Sequence, residues 1–266
     1  MELLIRPTAE HAARLAARLV ADRLRAKPDL VLGCATGRTM ERIYAELVRA
    51  HREGGLSFAG CRTFNLDEYV GLAPDDPRSY HAYMKAHLFG HVDLASHNTF
   101  LPDGTAADLG AEARRYEADI AAAGGVDLQL LGLGETGHIG FNEPLSSLRS
   151  RTRAKALTPT TRQQNAAFFG GPERVPERAL TMGVGTILDA LEVVLVVTGG
   201  AKAAVLAKAT EGPVTATVSA TALQLHPNCK VIVDEAAAGR LEGRDYYRWL
   251  YGNEPEWEVY RHDPAL

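Results

Sequence analysis

Only three cysteines occur in the 266 residues, Cys34, Cys61 and Cys229, and they are far apart with no C-x-x-C spacing. This excludes a disulfide framework and a cysteine-built zinc site, and suits small core residues in a reducing compartment. No apolar run approaches the roughly 20 residues that span a bilayer. The opening Met1-Glu2-Leu3-Leu4-Ile5-Arg6 lacks the basic start and longer apolar core of a secretory leader. There is no basic excess either: the net charge is -4 and the pI about 6.1, which favours neither nucleic acid nor an anionic membrane. Repeats, charge blocks and low-complexity linkers are absent. His87 and His91 have the spacing of a metal pair, but Gly90 and Val92-Asp93 end a helix there and no H-E-x-x-H motif occurs, so no metal is expected. These absences point to a cytoplasmic globular protein.

What remains is an alternation of short apolar runs and alanine-rich helical patterns. Strands are expected at Leu3–Ile5, Leu30–Gly33, Arg62–Leu66, Leu128–Gly132, Val193–Thr198 and Lys230–Val233. Helices are expected at Ala9–Arg25 behind Thr8, Met40–Arg52 behind Thr39, Ala107–Ala123, Thr161–Phe169 and Lys202–Ala209. Such alternation predicts an α/β fold: a doubly wound, mostly parallel sheet with helices on both faces, over residues 1–266 as one domain. The tail at about 246–266 gathers Tyr246, Tyr247, Trp249, Tyr251, Trp257 and Tyr260, and is expected to pack back on the domain or on a neighbouring subunit.

Ligands of an open parallel sheet bind beyond its C-terminal strand ends, and four segments with useful chemistry fall there. Gly33-Cys34-Ala35-Thr36-Gly37-Arg38-Thr39 is either an anion cradle at a helix N-terminus or a tight turn capped by Thr39; it is one residue short of a Walker A loop and has arginine for its lysine. In Asn65-Leu66-Asp67-Glu68-Tyr69 two acids point in opposite directions, so at most one faces a site; Asp67 is a proton carrier or a helix cap. Gly132-Leu133-Gly134-Glu135-Thr136-Gly137-His138 begins as G-x-G-x-x-G, but Pro144 interrupts the helix that a dinucleotide site needs, and no strand-end acid follows at about 20 residues. His138 and Glu143 are instead close enough in a loop to hydrogen-bond, the carboxylate fixing the imidazole tautomer. In Gly199-Gly200-Ala201-Lys202, a lysine opposes the helix dipole, which makes Lys202 a phosphate ligand or a plain surface residue.

With these residues assembled, the chain resembles the glucosamine-6-phosphate deaminase (glucosamine-6-phosphate isomerase) family over nearly its whole length. The resemblance is carried by Thr63-Phe64-Asn65-Leu66-Asp67-Glu68-Tyr69-Val70-Gly71-Leu72, Gly137-His138-Ile139-Gly140-Phe141-Asn142-Glu143-Pro144 and Ser150-Arg151-Thr152-Arg153-Ala154-Lys155. It continues through Ala179-Leu180-Thr181-Met182-Gly183-Val184-Gly185-Thr186-Ile187-Leu188-Asp189-Ala190 and Leu223-Gln224-Leu225-His226-Pro227. It implies a cofactor-independent conversion of glucosamine 6-phosphate and water to fructose 6-phosphate and ammonia. It further implies that His138, oriented by Glu143, opens the sugar ring, that Asp67 shuttles a proton between C2 and C1, and that Lys202 with the Thr36–Thr39 loop holds the phosphate. Ser146, Arg153 and Lys155 match positions that bind an N-acetylglucosamine 6-phosphate effector at a subunit interface, with Tyr246 a match to a tyrosine of that pocket; association into a homo-oligomer goes with this.

Four residues depart from the family pattern. Thr136 stands where an acid is usual two residues before the histidine, Ala167 stands where a phosphate-binding arginine is usual, and Arg38 and Met40 replace a small residue and a proline. Arg38 is therefore a candidate to replace the missing arginine. The departures also raise two rivals: an enzyme of the same fold for another amino sugar, an unphosphorylated amino sugar or a phosphogluconolactone, and a non-catalytic sugar-phosphate sensor. Intact Asp67, His138 and Glu143 speak against the sensor.

Overall fold

Buried strands make the frame. Every residue of Glu192–Val197 and of Cys229–Asp234 is buried, as expected for strands of a parallel sheet covered on both faces. The computed structural model describes residues 1–263. Its strands are β1 (Glu2–Arg6), β2 (Val31–Cys34), β3 (Arg62–Asn65), β4 (Asp67–Tyr69), β5 (Thr99–Phe100), β6 (Leu128–Gly132), β7 (Arg153–Ala156), β8 (Arg178–Thr181), β9 (Glu192–Val197) and β10 (Cys229–Asp234). Its helices are α1 (Ala9–Ala26), α2 (Arg38–Gly54), α3 (Tyr80–His87), α4 (Leu109–Ala122), α5 (Pro159–Phe169), α6 (Val184–Leu188), α7 (Ala203–Thr210), α8 (Arg244–Asn253) and α9 (Glu258–Arg261).

Seven strands form one parallel sheet in the order β1-β10-β9-β6-β2-β3-β5. From β2 the chain runs outward to β3 and β5, then returns to the other side of β2 as β6 and continues outward through β9 and β10. The order reverses between β2 and β6, so the loops leaving these two strands part and open a crevice at their C-terminal ends. Helices flank the sheet: α1 packs over β1, β9 and β10, while Tyr116 of α4 meets Phe64 of β3 edge-on. The expected α/β class is therefore observed. No helix among the described residues is long and apolar enough to cross a membrane.

A second sheet, with antiparallel order β4-β8-β7, went unpredicted. Its strands are three or four residues long and carry charges, as in Arg153–Ala156, so no apolar alternation announces them. It begins where the first sheet ends: β4 follows β3 after the single residue Leu66, whose N–H donates to Cys34 O and whose carbonyl accepts from Met182 N. It covers a small separate core of Tyr69, Leu72, Phe141, Leu157, Phe169, Val175 and Ala179.

Two helix starts differ from expectation. Thr39 does not cap α2: the helix begins at Arg38, and Gly37, at φ +111°, occupies the cap without a side-chain bond. Asp67 caps no helix, since it lies within β4. The tail packs back in part. Trp257 is 1% exposed, donates to Glu2 Oε2 at 2.9 Å and stands between Tyr251 and Tyr260, whereas Tyr246 and Trp249 are exposed. Truncating so large a buried ring costs about 3 kcal/mol. Trp257→Ala should lose that much in urea unfolding, and an unchanged midpoint would show the tail to be energetically idle.

Candidate active site

The crevice at the switch point is a cavity of about 460 Å³. Four strand ends supply its chemistry: Thr36, Gly37, Arg38 and Thr39 after β2, Asp67 after β3, His138 after β6 and Lys202 after β9. Seven of the expected site residues are thus brought to one wall system. Helix α3 adds Tyr80, Tyr83 and His87, and α5 adds Gln164, Asn165 and Phe169. Helix α3 was not expected from sequence, and α5, expected as a helix at Thr161–Phe169, was not assigned to the site. Ser79, which caps α3 by accepting from Ala82 N at 3.0 Å, was the available signal for the first.

The glycines of Gly132-x-Gly134-x-x-Gly137 serve the loop itself. A Cβ on Gly134 would lie 2.1 Å from His138 Nε2, so only glycine lets the imidazole fold back onto the strand end. Gly137 sits at φ +80°, and Gly134 N donates to His138 O at 2.9 Å, closing the turn. Asn142 then staples the loop: its Nδ2 donates to Ile139 O and Met182 O, both at 2.9 Å, and its Oδ1 accepts from Arg153 at 2.8 Å.

The expected hydrogen bond between His138 and Glu143 is corrected by the geometry. Thr136 Oγ1 lies 2.8 Å from His138 Nδ1, and Glu143 Oε2 stands behind at 3.6 Å without a hydrogen bond of its own. Glu143 Oε1 accepts instead from the N–H and hydroxyl of Thr158, the cap of α5, at 3.1 and 3.2 Å. The hydroxyl in the place of an acid thus fixes the ring, while the carboxylate acts on it through space. Desolvation holds His138 below the ordinary histidine range; Glu143 opposes this and Lys202 reinforces it. The imidazole is neutral near pH 7, with Nε2 on the Gly134 side.

Asp67 is 6% exposed and lies opposite Thr181 in the β4–β8 register. Burial, reinforced by the adjacent Glu68 charge and opposed by a hydrogen bond from Thr181, pushes its carboxyl up to about 8. The two adjacent acids point apart as expected: Asp67 lines the cavity, while Glu68 bonds to α3.

Cations occupy the same cavity without anionic partners. Arg38 forms no hydrogen bond or ion pair with any described residue, and the half-buried Lys202 has only the through-space influence of Glu135. Burial holds the Lys202 ammonium below the ordinary lysine range. Next to them α2 opens with an uncapped N-terminus. Two unpaired cations and free helix N–H groups make a site for a compact anion. Lys202 is half-buried against the cavity rather than fully exposed. Ala167, in contrast, is exposed and absent from the cavity lining.

Of the four residues matched to an effector pocket, three share one region. Arg153 and Lys155 lie two apart on β7, and Arg153 is tied to Asn142 in the loop that holds the buried Ser146, whose hydroxyl has no partner. Tyr246 is not with them: it is exposed on α8, which packs against β1 at an edge of the large sheet.

Residues 6–231 match the family model described as glucosamine-6-phosphate isomerases/6-phosphogluconolactonase. Glucosamine-6-phosphate deaminases of Hahella chejuensis and Rhodopirellula baltica are 50% and 52% identical; the matches cover 94% and 92% of this chain and 95% and 97% of theirs. A solved monomeric glucosamine-6-phosphate deaminase superposes with a TM-score of 0.89 at 45% identity, over 90% of this chain and 100% of that one. A 6-phosphogluconolactonase from Trypanosoma brucei shares the fold alone, at TM-score 0.70 and 21% identity, over 90% of this chain and 98% of that one.

The buried carboxyl makes a stability prediction. Between pH 4 and pH 8 the folded chain keeps a proton on Asp67 that the unfolded chain has lost. This contribution is fully present below about pH 4 and is lost as pH rises to about 8. Asp67→Asn, always neutral, should therefore gain on the parent across this window, by up to a few kcal/mol at pH 8. Urea unfolding at pH 5, 7 and 9 reads it; a constant difference would refute the assignment.

Proposed function

The chain belongs to the glucosamine-6-phosphate isomerase/6-phosphogluconolactonase family, and from that premise we propose that it is a glucosamine-6-phosphate deaminase whose chemistry is carried by Asp67, His138, Thr136 and Glu143. The reaction takes glucosamine 6-phosphate and water to fructose 6-phosphate and ammonia. The observation that carries the residue roles is the meeting, in one cavity, of a buried carboxyl, a neutral histidine and two unpaired cations.

Lys202, Arg38 and the Thr36–Thr39 turn hold the phosphate, which fixes the sugar's orientation and removes much of the entropic barrier. His138, its ring set by Thr136 and its cation favoured by Glu143, takes the proton of the anomeric hydroxyl and returns it to the ring oxygen, opening the ring. The Asp67 carboxylate then takes the C2 proton, the electron pair forms the C1–C2 double bond, and the aldehyde oxygen takes a proton from the substrate's own 2-ammonium group to become the enol hydroxyl. Asp67 delivers its proton to C1, the enol collapses to the 2-imine, and water replaces ammonia at C2. A carboxyl with a proton affinity near neutrality suits a group that must both take and return a proton.

The second anion region belongs to the same proposal. Ser146, Arg153 and Lys155 fit the phosphate of an N-acetylglucosamine 6-phosphate effector, and Asn142 and Glu143 join them to the loop of His138. A cytoplasmic location agrees with three buried, free cysteines.

Ammonia release from glucosamine 6-phosphate and from glucosamine tests the substrate. Arg38→Ala should raise KM about tenfold for the phosphorylated sugar, with kcat little changed, the effect of one charge-assisted contact. Equal effects on both sugars would remove Arg38 from phosphate binding. Addition of N-acetylglucosamine 6-phosphate should lower the half-saturating substrate concentration of the parent, and Arg153→Ala should abolish that response. A parent that does not respond would leave the region without an effector role.

A further inference from the structure

Beside Asp67 lies a carboxylate for which the reaction above has no use. Glu68 is 1% exposed, yet all its hydrogen-bonding capacity is filled. Oε1 accepts from Tyr69 N at 2.8 Å and Tyr80 N at 3.0 Å; Oε2 accepts from His81 N at 3.1 Å and lies 2.9 Å from His81 Nδ1. Tyr80 and His81 are the first residues of α3, so the carboxylate closes the positive end of that helix. Gly104 lies against it from the other side: a Cβ there would fall 2.0 Å from Tyr69 O and 3.5 Å from Glu68 Cγ.

We propose that Glu68 is a positioning residue that acts through Asp67: it clamps the N-terminus of α3 to β4 and keeps a fixed negative charge behind the Asp67 carboxyl. This rests on the reading of Asp67 as the proton carrier. Two consequences follow from the geometry. First, α3 supplies Tyr80, Tyr83 and His87 to the cavity, so the same bonds that bury Glu68 set one wall against the reacting group. Second, the charged groups around Asp67 are uneven. Glu68 adjoins it on its own strand with Tyr69 next in line, Tyr80 acts on it from α3 and Tyr116 from α4, while Thr181 of β8 supplies its hydrogen bond. The cation nearest Glu68 is His81 when protonated, and Asp103, in the loop before α4, acts on that imidazole. With no permanent cation in this set, the Glu68 charge bears on Asp67 between two buried side chains.

The decisive measurement is the titration of the Asp67 carboxyl by carbon-13 NMR, assigned by its loss in Asp67→Asn and read beside the pH dependence of kcat/KM. Glu68→Gln keeps the shape and removes the charge. Its Asp67 midpoint and the acid limb of its activity should both move to lower pH by about one unit. His81→Lys leaves Glu68 in place and sets a permanent cation on it at a position 30% exposed, and should move the midpoint the same way even if the glutamine variant fails to fold. A merely structural Glu68 would lower activity at every pH and leave the midpoint fixed. An unmoved midpoint in the folded variants overturns the proposal. If Asp67→Asn keeps turnover, the catalytic reading fails; if it is inactive while the midpoint stays put, the role of Glu68 alone fails.

Discussion

Desolvation governs this site. The crevice admits a small sugar but surrounds its polar groups with Leu66, Leu133, Phe141 and the rings of Tyr69, Tyr80 and Phe169, so charge is costly wherever it lacks a partner. Asp67, His138 and Lys202 are each displaced toward the neutral form, and in each case burial is the largest cause. For the carboxyl this places the proton affinity near neutrality, and for the histidine it favours the neutral imidazole. For the lysine it leaves a cation whose best available partner is an arriving anion. One physical term thus prepares the acid–base groups and the anion site together, and makes the empty site less stable than an apolar one would be.

The topology puts these groups in one place. Reversal of strand order between β2 and β6 parts two loops, and the Thr36–Thr39 turn and the His138 loop are the two that part. The second sheet then stands over the crevice, with Asp67 at its entry and Thr181 opposite. Its register matters because alternation along β4 sends Asp67 into the cavity and Glu68 toward α3. Thr158 caps the helix that lines one side of the cavity and also donates to Glu143, so that wall and the histidine environment share a hydrogen-bonded path.

Strongly apolar strands such as Val193–Thr198 were legible within a residue or so, because burial on both faces leaves a continuous hydrophobic run. The short charged strands of the second sheet were not, since three or four residues held by partners outside their own segment carry no periodicity. Thr39 looked like a cap because hydroxyls usually are; Gly37 took the place because the turn needs a positive φ there. Asp67, His138, Lys202 and Arg38 could be named because their residue types sit at strand ends. Tyr246 could not be placed, as its position depends on how a helix docks at the far edge of the sheet.

By itself the sequence determined the α/β alternation, the strand ends that carry chemistry and the family whose long motifs the chain shares, because these depend on local pattern and on residue identity. Only the tertiary structure decided that Thr136 rather than Glu143 bonds to His138, that Gly134 exists to admit an imidazole, and that Glu68 locks a helix beside Asp67. Hydrogen bonds and desolvation depend on distances of a few ångströms between segments, and sequence spacing does not set such distances.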